Sequence, residues 1–447
     1  MTQLASEKST TGRNDQIEKI TYILPIVPEA INESLRMEFF YMNTTEISFQ
    51  NMYSFLWEKL FCPETNLFYD RIGIGDDRFA DLPCPEEIAK QFPNPNGWGT
   101  GMEDSSINGG HMLLTLSRLQ ALTGQDFSEE CGKILAGIRL CESVHGRNGF
   151  LVRSVSHVDQ KSCYFNSSRD QITMVVAGLY DVYKRIPTLP EAQRELIRTI
   201  LREIAQYCGQ TVTPENHYSY LRLDGGKALV SDLWDCDVHE MLRLPMIYAA
   251  AGEICEEEQF RLAALQYMEK GLQVSEKFAK EKYYWDFCLI QMQLSLDVLH
   301  QCDFLAVYHE RIGRLMDNVG FAANREFCNV LTRCENYTGD WNVYNPDWRT
   351  LPMRVTAMTL KETPHNAVFD SYTYLNPVYI PEFAVIVEYQ RGLGNYLTAA
   401  LLAKSLSVAK EDYERFLAFL NRQDFSACTH AGPFSLLHAF ALGKELF

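Results

Sequence analysis

No two of the thirteen cysteines in this chain stand as Cys-x-x-Cys, and none is spaced from a histidine in the manner of a zinc module. Their odd number and scatter fit reduced thiols used as small core residues. Runs of Lys or Arg are missing too. With 41 basic against 58 acidic side chains the net charge is −17, so a nucleic acid would meet a repulsive field. No stretch of about 18 uncharged apolar residues occurs, and the opening "MTQLASEKSTTGRNDQIEKI" is polar, without the apolar core of a secretory signal. The expectation is a cytoplasmic protein, or a periplasmic one if a signal has been removed, with neither a membrane nor a nucleic acid as partner. Repeats of fixed period are absent as well, which argues against a helical solenoid.

What is present is globular in composition, 46% hydrophobic and 22% charged over 447 residues. Residues 1–20 read as a polar, flexible segment, and 21–447 as a single domain. Two kinds of helical segment alternate there. The first kind, near 45–61, 127–145 ("FSEECGKILAGIRLCESVH"), 189–213, 255–280, 303–326 and 396–420, carries charge at every turn beside an apolar stripe. The second, at 105–117, 171–180, 244–252, 287–296, 383–387 and 433–442, is nearly uncharged and must be buried on all sides. Outer then inner, six times over, predicts an all-α fold, an (α/α)6 toroid of six helical hairpins with the uncharged helices as its inner wall. "YSYLRLDGGKALVS", 218–231, reads as a minor β-hairpin in a loop, and 333–377 as a long irregular aromatic connection.

The loops that enter the uncharged helices are the chemically loaded parts: "GWGTGMEDSS", "SCYFNSSRDQ", "SDLWDCDVHE", "KYYWDF", "GDWNVYNPDWR" and "CTHAGP". Rings beside carboxylates, amides and histidines suit sugars, whose apolar faces stack and whose hydroxyls need planar partners. Glu103 and Asp104 open the first uncharged helix, where simple capping accounts for them equally well. Asp170 opens the second, either as a reactive group or as the ion-pair partner of Arg169. Asp104 and Asp170, opening successive inner helices, are the expected catalytic carboxylates facing one another across a sugar, with Glu103 beside them. Substrate contacts are expected from Trp98, Arg153, Arg169, Gln171, Trp234, Asp235, His239, Trp341, Trp348 and Arg349. The cluster Asp232, Asp235, Asp237, His239 and Glu240 matches no metal-loop spacing. Neither a metal nor another cofactor is expected.

"GWGTGMEDS" and "YFNSSRDQITMVVAGLYDVYKR" resemble the six-hairpin glycosidases, among them the unsaturated glucuronyl hydrolases and a β-glucuronidase family of gut bacteria. The likeness in architecture spans most of 40–447 and that in motif about 95–185. It implies an Asp at an inner-helix mouth acting as general acid and base, assisted by a second Asp from a neighbouring helix. "SSRDQ" is similar to that family's Arg-Gly-Gln helix opening, with Asp170 in place of the glycine.

The function expected is hydrolysis of uronic-acid-containing oligosaccharides, a substrate carboxylate being met by Arg153, Arg169 or Arg349. His145, His157, His239 and His430 also fall near loop mouths. They leave open a sugar epimerase using inner-wall histidines, and a carbohydrate-binding protein without turnover is the third reading. Sugar identity, linkage, stereochemical course and oligomeric state are not legible in the sequence.

Overall fold

Asp104 to Gly124 show how one uncharged segment becomes a buried helix. Ser105–Thr123 (α3) hides every side chain from Ser105 to Leu119 and stops at Gly124, whose φ of +69° closes the last turn through its N–H to Gln120 O. The computed structural model describes residues 44–447 except 74, 340, 342–346, 359–371, 379–388, 406 and 427. Thr44–Phe447 forms one compact unit, and the segment 1–20 lies outside the described residues.

Ahead of α3 come Thr44–Phe55 (α1) and the short Pro85–Ala89 (α2). After it follow Ser128–Ser143 (α4), Arg169–Arg185 (α5), Glu191–Thr211 (α6), Arg243–Ile254 (α7), Glu258–Ser275 (α8), Asp286–Gln301 (α9) and His309–Glu335 (α10). Gly392–Leu401 (α11), Lys410–Leu420 (α12) and Pro433–Leu446 (α13) complete the helices. The fold is mostly helical, as the periodicity predicts. In α6 the buried set Ile197, Ile200, Leu201, Ile204 and Cys208 follows the 3.6-residue repeat and leaves the charged face outside.

The buried helices pack in succession: α3 on α5, α5 on α7, α7 on α9, α9 on α11, α11 on α13 and α13 on α3. Each amphipathic helix lies against its sequence neighbour, α4 on α3, α6 on α7, α8 on α7 and α10 on α11. Glycines set the closest of these approaches. A Cβ on Gly110 would stand 2.6 Å from Met174 O, and one on Gly178 would stand 2.7 Å from Gly110 O. Backbone therefore meets backbone where α3 crosses α5.

Three expectations need correction. The segment 396–420 is not one outer helix: α11 is wholly buried and only α12 is amphipathic, because the polar break 403–408 separates an uncharged run from a charged one. The proposed inner helix at 383–387 falls outside the described residues, and α11 is the buried helix of that region. The segment 333–377 is not irregular throughout. It begins with the end of α10 and contains two antiparallel strands, numbered below.

Among the described residues the strands form three two-stranded sheets where one hairpin was expected: Phe61–Cys62 (β1) with Leu67–Phe68 (β2), Ser219–Leu221 (β3) with Lys227–Asp232 (β4), and Met353–Met358 (β5) with Tyr372–Pro377 (β6). The expected hairpin is the second, turning at Gly225 with φ +82° and held by Gly226 N–H donating to Asp224 Oδ1. Among the described residues no helix is long and apolar enough to cross a membrane.

Candidate functional site

A cleft of about 590 Å³, counted with its open mouth, lies where the leading ends of α3, α9, α11 and α13 meet the loop after β2. That loop is clamped from both sides. Asp70 N–H donates to Gly101 O and Ala431 N–H to Asp70 O, while Ile72 N–H donates to Thr429 O. The glycines of "GWGTG" are what the clamp requires. Gly99 and Gly101 have φ of +83° and +91°, and a Cβ on Gly101 would stand 2.8 Å from Arg71 O.

Three carboxylates line this cleft: Asp70, Glu103 and Asp104. Glu103 pairs with Arg71 at 3.0 Å and accepts from Gly99 N–H. Burial raises its proton affinity and Asp104 adds to that, against the opposing pull of Arg71. Asp104 takes the N-cap position of α3 but does not cap it. Its Oδ1 instead accepts from Arg153 Nη1 at 3.1 Å and Gln171 Nε2 at 2.6 Å. Both donors also reach Glu103 O, at 2.9 and 3.2 Å. The capping explanation of the acidic turn therefore fails for Asp104, whose side chain is fixed by donors from elsewhere in the fold.

Asp70 was missed in the sequence. Its Oδ1 accepts from Asn108 Nδ2 at 2.7 Å and its Oδ2 from the Asp104 N–H. Burial, and next the neighbouring Asp104 and Glu103, hold its proton affinity well above the ordinary carboxylate range. Asn108 and His111 were missed as well, although a signal existed. Asp104, Asn108 and His111 fall on one helical face, at i, i+4 and i+7 of a segment that is otherwise uncharged. His111 is pushed down to about 4 by burial and then by Arg391, so it stays neutral, and its buried Nδ1 meets no hydrogen-bond partner among the described residues.

The far wall is built by α9 and the residue before α11. Asp286 accepts from Arg391 Nε at 3.0 Å, Arg391 Nη2 at 3.3 Å and Asn395 Nδ2 at 2.8 Å. The Arg391 guanidinium lies 4.3 Å over the Phe287 ring, and both side chains line the cleft.

Asp170 is placed differently from the expectation. It begins α5, capped by Ser168, beside the Gln171 that holds Asp104, but it is not part of the cleft's lining. Arg243, itself buried, binds its Oδ1. Burial would raise its proton affinity, yet Arg243 and Arg169 outweigh that and leave it lowered. Arg169 is paired in turn with Glu240.

The remaining candidates divide. Trp98 stays close, with the Arg153 guanidinium 5.6 Å over its ring. Trp234 is buried edge-on against Tyr267 of α8, at 4.7 Å, and Asp235 is exposed, 3.6 Å from Lys270. Trp348 is buried with Nε1 donating to Asp81 O at 2.9 Å. Arg349 grips Glu87 through two nitrogens, at 2.7 and 2.5 Å, and Asp347 at 3.0 Å. Trp341 packs against Tyr337, Tyr389 and Phe419. Trp234, Trp341, Trp348 and Arg349 brace loops, because their ring faces and charges are already matched within the protein, and Asp235 faces solvent. Trp234, Asp235, Trp341, Trp348 and Arg349 are thus not brought to the cleft.

Of the histidines, His430 lines the cleft, but Nδ1 accepts from Gly432 N–H and Nε2 meets Cys428 Sγ at 3.2 Å. His145 is bound to Phe150 O at 2.9 Å. His239, Asp237 and Glu240 could offer three ligand atoms within 4.8 Å of one another. Burial would lower the affinity of His239 for a proton, but Cys288 and Glu240 raise it to about 9. With that cation and the arginines on Glu240, charge there is already balanced, and a metal ion would have to displace a proton and two guanidinium contacts.

Scanned against models of protein families the sequence matches none, and no curated protein matches it.

Proposed function

We propose that the chain is a glycoside hydrolase of the six-hairpin (α/α)6 type, cleaving a uronic-acid-containing oligosaccharide in the cleft between Asp70, Asp104 and Arg391. The toroid reading is supported by the packing order of the buried helices, which runs from α3 through α13 and returns to α3. The observation that carries the hydrolase reading is the Asp70–Asp104 pair: two carboxylates of one open cleft, joined through the Asp104 N–H, with burial and the neighbouring carboxylates raising Asp70's proton affinity.

Such an inequality divides the labour that glycosidic cleavage needs. Asp70 delivers its proton to the leaving oxygen, or to the double bond of an unsaturated uronide, as the bond from the anomeric carbon breaks or the enol ether is protonated. Asp104, oriented by Arg153 and Gln171, takes a proton from the attacking water or attacks the carbon itself. The water's other hydrogen stays on the new sugar hydroxyl, and Asp70 is reprotonated by the proton Asp104 took, passed through solvent, or, where Asp104 attacks the carbon, by the proton Asp70 itself draws from the water that cleaves the ester. Arg71 and Arg391, both in the lining and paired with Glu103 and Asp286, would take the uronate carboxylate as a further partner.

Incubation with nitrophenyl glucuronide and with unsaturated uronic disaccharides tests this. Chromophore release or loss of the double-bond absorbance, abolished in Asp104→Asn, is the expected result. Silence on both substrate types overturns it, and saturable binding with the ligand recovered unchanged identifies a binding protein instead.

His111 favours a second reading, a sugar epimerase. It is a neutral imidazole in the cleft whose buried Nδ1 meets no hydrogen-bond partner among the described residues, chemically able to take a proton from carbon beside a carbonyl. Solvent deuterium entering a reducing sugar, lost in His111→Ala, separates it from hydrolysis.

A further inference from the structure

The segment "KYYWDF" leads into α9 with alternating burial. Tyr284 is hidden while Tyr283 and Trp285, on either side of it, are 60% and 61% exposed. Large rings left so open are a cost in water that ordinary packing would remove. The loop that presents them is held firmly. Tyr284 stacks on Phe278 at 4.5 Å and 18° between planes, its carbonyl accepts from Tyr396 Oη at 3.0 Å, and Arg325 of α10 donates to Lys280 O and Lys282 O, each at 3.0 Å. The backbone that carries the two rings is thus held before any ligand arrives.

Along the chain they stand next to the cleft. Phe287, two residues after Trp285, is part of the cleft's lining, and at most about 7 Å of chain separates the two positions. A protein partner is a poor fit. Lys280, Glu281 and Lys282 crowd the patch with exposed charge, and two rings fall far short of the roughly 800 Å² per partner that a stable interface takes. A pyranose face, apolar in the middle and hydroxylated at its edge, matches an exposed ring flanked by charged donors and acceptors.

We propose that Tyr283 and Trp285 form a stacking platform for a sugar ring lying outside the cleft, so that the substrate is an oligosaccharide longer than the unit being cleaved. This rests on the hydrolase reading above and adds substrate length to it.

The probes are unsaturated uronic di-, tetra- and hexasaccharides from lyase digestion of a polyuronate, titrated calorimetrically and assayed for turnover with the full chain. The expected result is that the tetrasaccharide binds about tenfold tighter than the disaccharide. In Trp285→Ala that advantage shrinks to about twofold or less, with disaccharide turnover unchanged, and Trp285→Phe keeps most of it. An unchanged melting temperature shows that the variant folds. A disaccharide turned over as well as the longer chains, or a length advantage that survives Trp285→Ala, overturns the platform and leaves the hydrolase reading standing. Failure of every length to bind or react overturns both. If Trp285→Ala abolishes a concentration-dependent dimer and leaves sugar binding unaltered, the rings belong to an interface between copies and the platform is overturned.

Discussion

The main-chain N–H of Asp104 donates to the Asp70 carboxylate, so the first buried helix and the loop after β2 share one proton-sensitive contact. If Asp70 acts with its proton on, turnover falls as pH climbs through its raised proton affinity. Asp70→Asn should lower kcat about 10²- to 10⁴-fold and flatten that alkaline limb, with Asp104→Asn comparably inactive. A kcat/KM profile from about pH 4 to about pH 10 checks it. An alkaline limb that persists in Asp70→Asn assigns the proton to another group.

Asp170 is expected to behave in the opposite way. Removing its charge leaves the buried Arg243 with only Glu240, at 3.9 Å, a loss of about 3 kcal/mol in Asp170→Asn. Because Asp170's affinity for a proton is lowered in the fold, its stabilisation is present above the unfolded carboxylate range and is lost as pH falls through the folded value. The wild type should therefore lose its thermal advantage over Asp170→Asn in acid, while kcat per folded molecule stays within about tenfold. A variant with normal melting and no turnover would restore Asp170 to the chemistry.

Glu142, buried in α4, shares Arg139 with Glu203 and accepts from Gly149 N–H. Burial lifts it to about 8 with Glu203 opposing its ionisation, so the folded protein holds a proton that the unfolded chain releases. Stability must then fall as pH rises from the unfolded carboxylate value toward 8. Whatever the offset in acid, Glu142→Gln should gain on the wild type across that range, which melting curves at several pH values will show. Parallel curves would mean that Glu142 is ionised in the fold.

At the crossing of α3 and α5, Gly178→Ala would put a Cβ 2.7 Å from Gly110 O. The usual helical benefit of alanine is about 1 kcal/mol, and overpacking here costs about 1–3 kcal/mol. The melting temperature should fall by several degrees. Turnover should drop as well, because α5 carries the Gln171 that orients Asp104. A stabilised, fully active variant would show that the crossing yields without consequence.

Much of the helical pattern was legible because burial on all sides demands uncharged segments, and α3, α5, α7 and α9 carry that mark in their residues. The break between α11 and α12 was not, since Leu401 to Val408 carries neither the proline nor the glycine that marks a helix end. Asp104, Gln171, Arg153 and Trp98 were readable from helix-opening loops. Asp70 was not, because it follows a two-residue strand whose pairing leaves no periodicity. Trp348 and Arg349 lie away from the cleft for a physical reason. An aromatic, charged loop looks the same in sequence whether its rings meet a ligand or, as here, turn inward onto Asp81 and Glu87.

The clamp on Asp70 joins distant parts of the polypeptide: its carbonyl is bound by the amide of Ala431, and Ile72 by Thr429. During synthesis the loop bearing Asp70 leaves the ribosome long before the strand of chain that locks it, so the acidic cleft is among the last features to be completed. Fragments ending ahead of α13 should then contain well-formed helices yet leave the loop bearing Asp70 without its clamp.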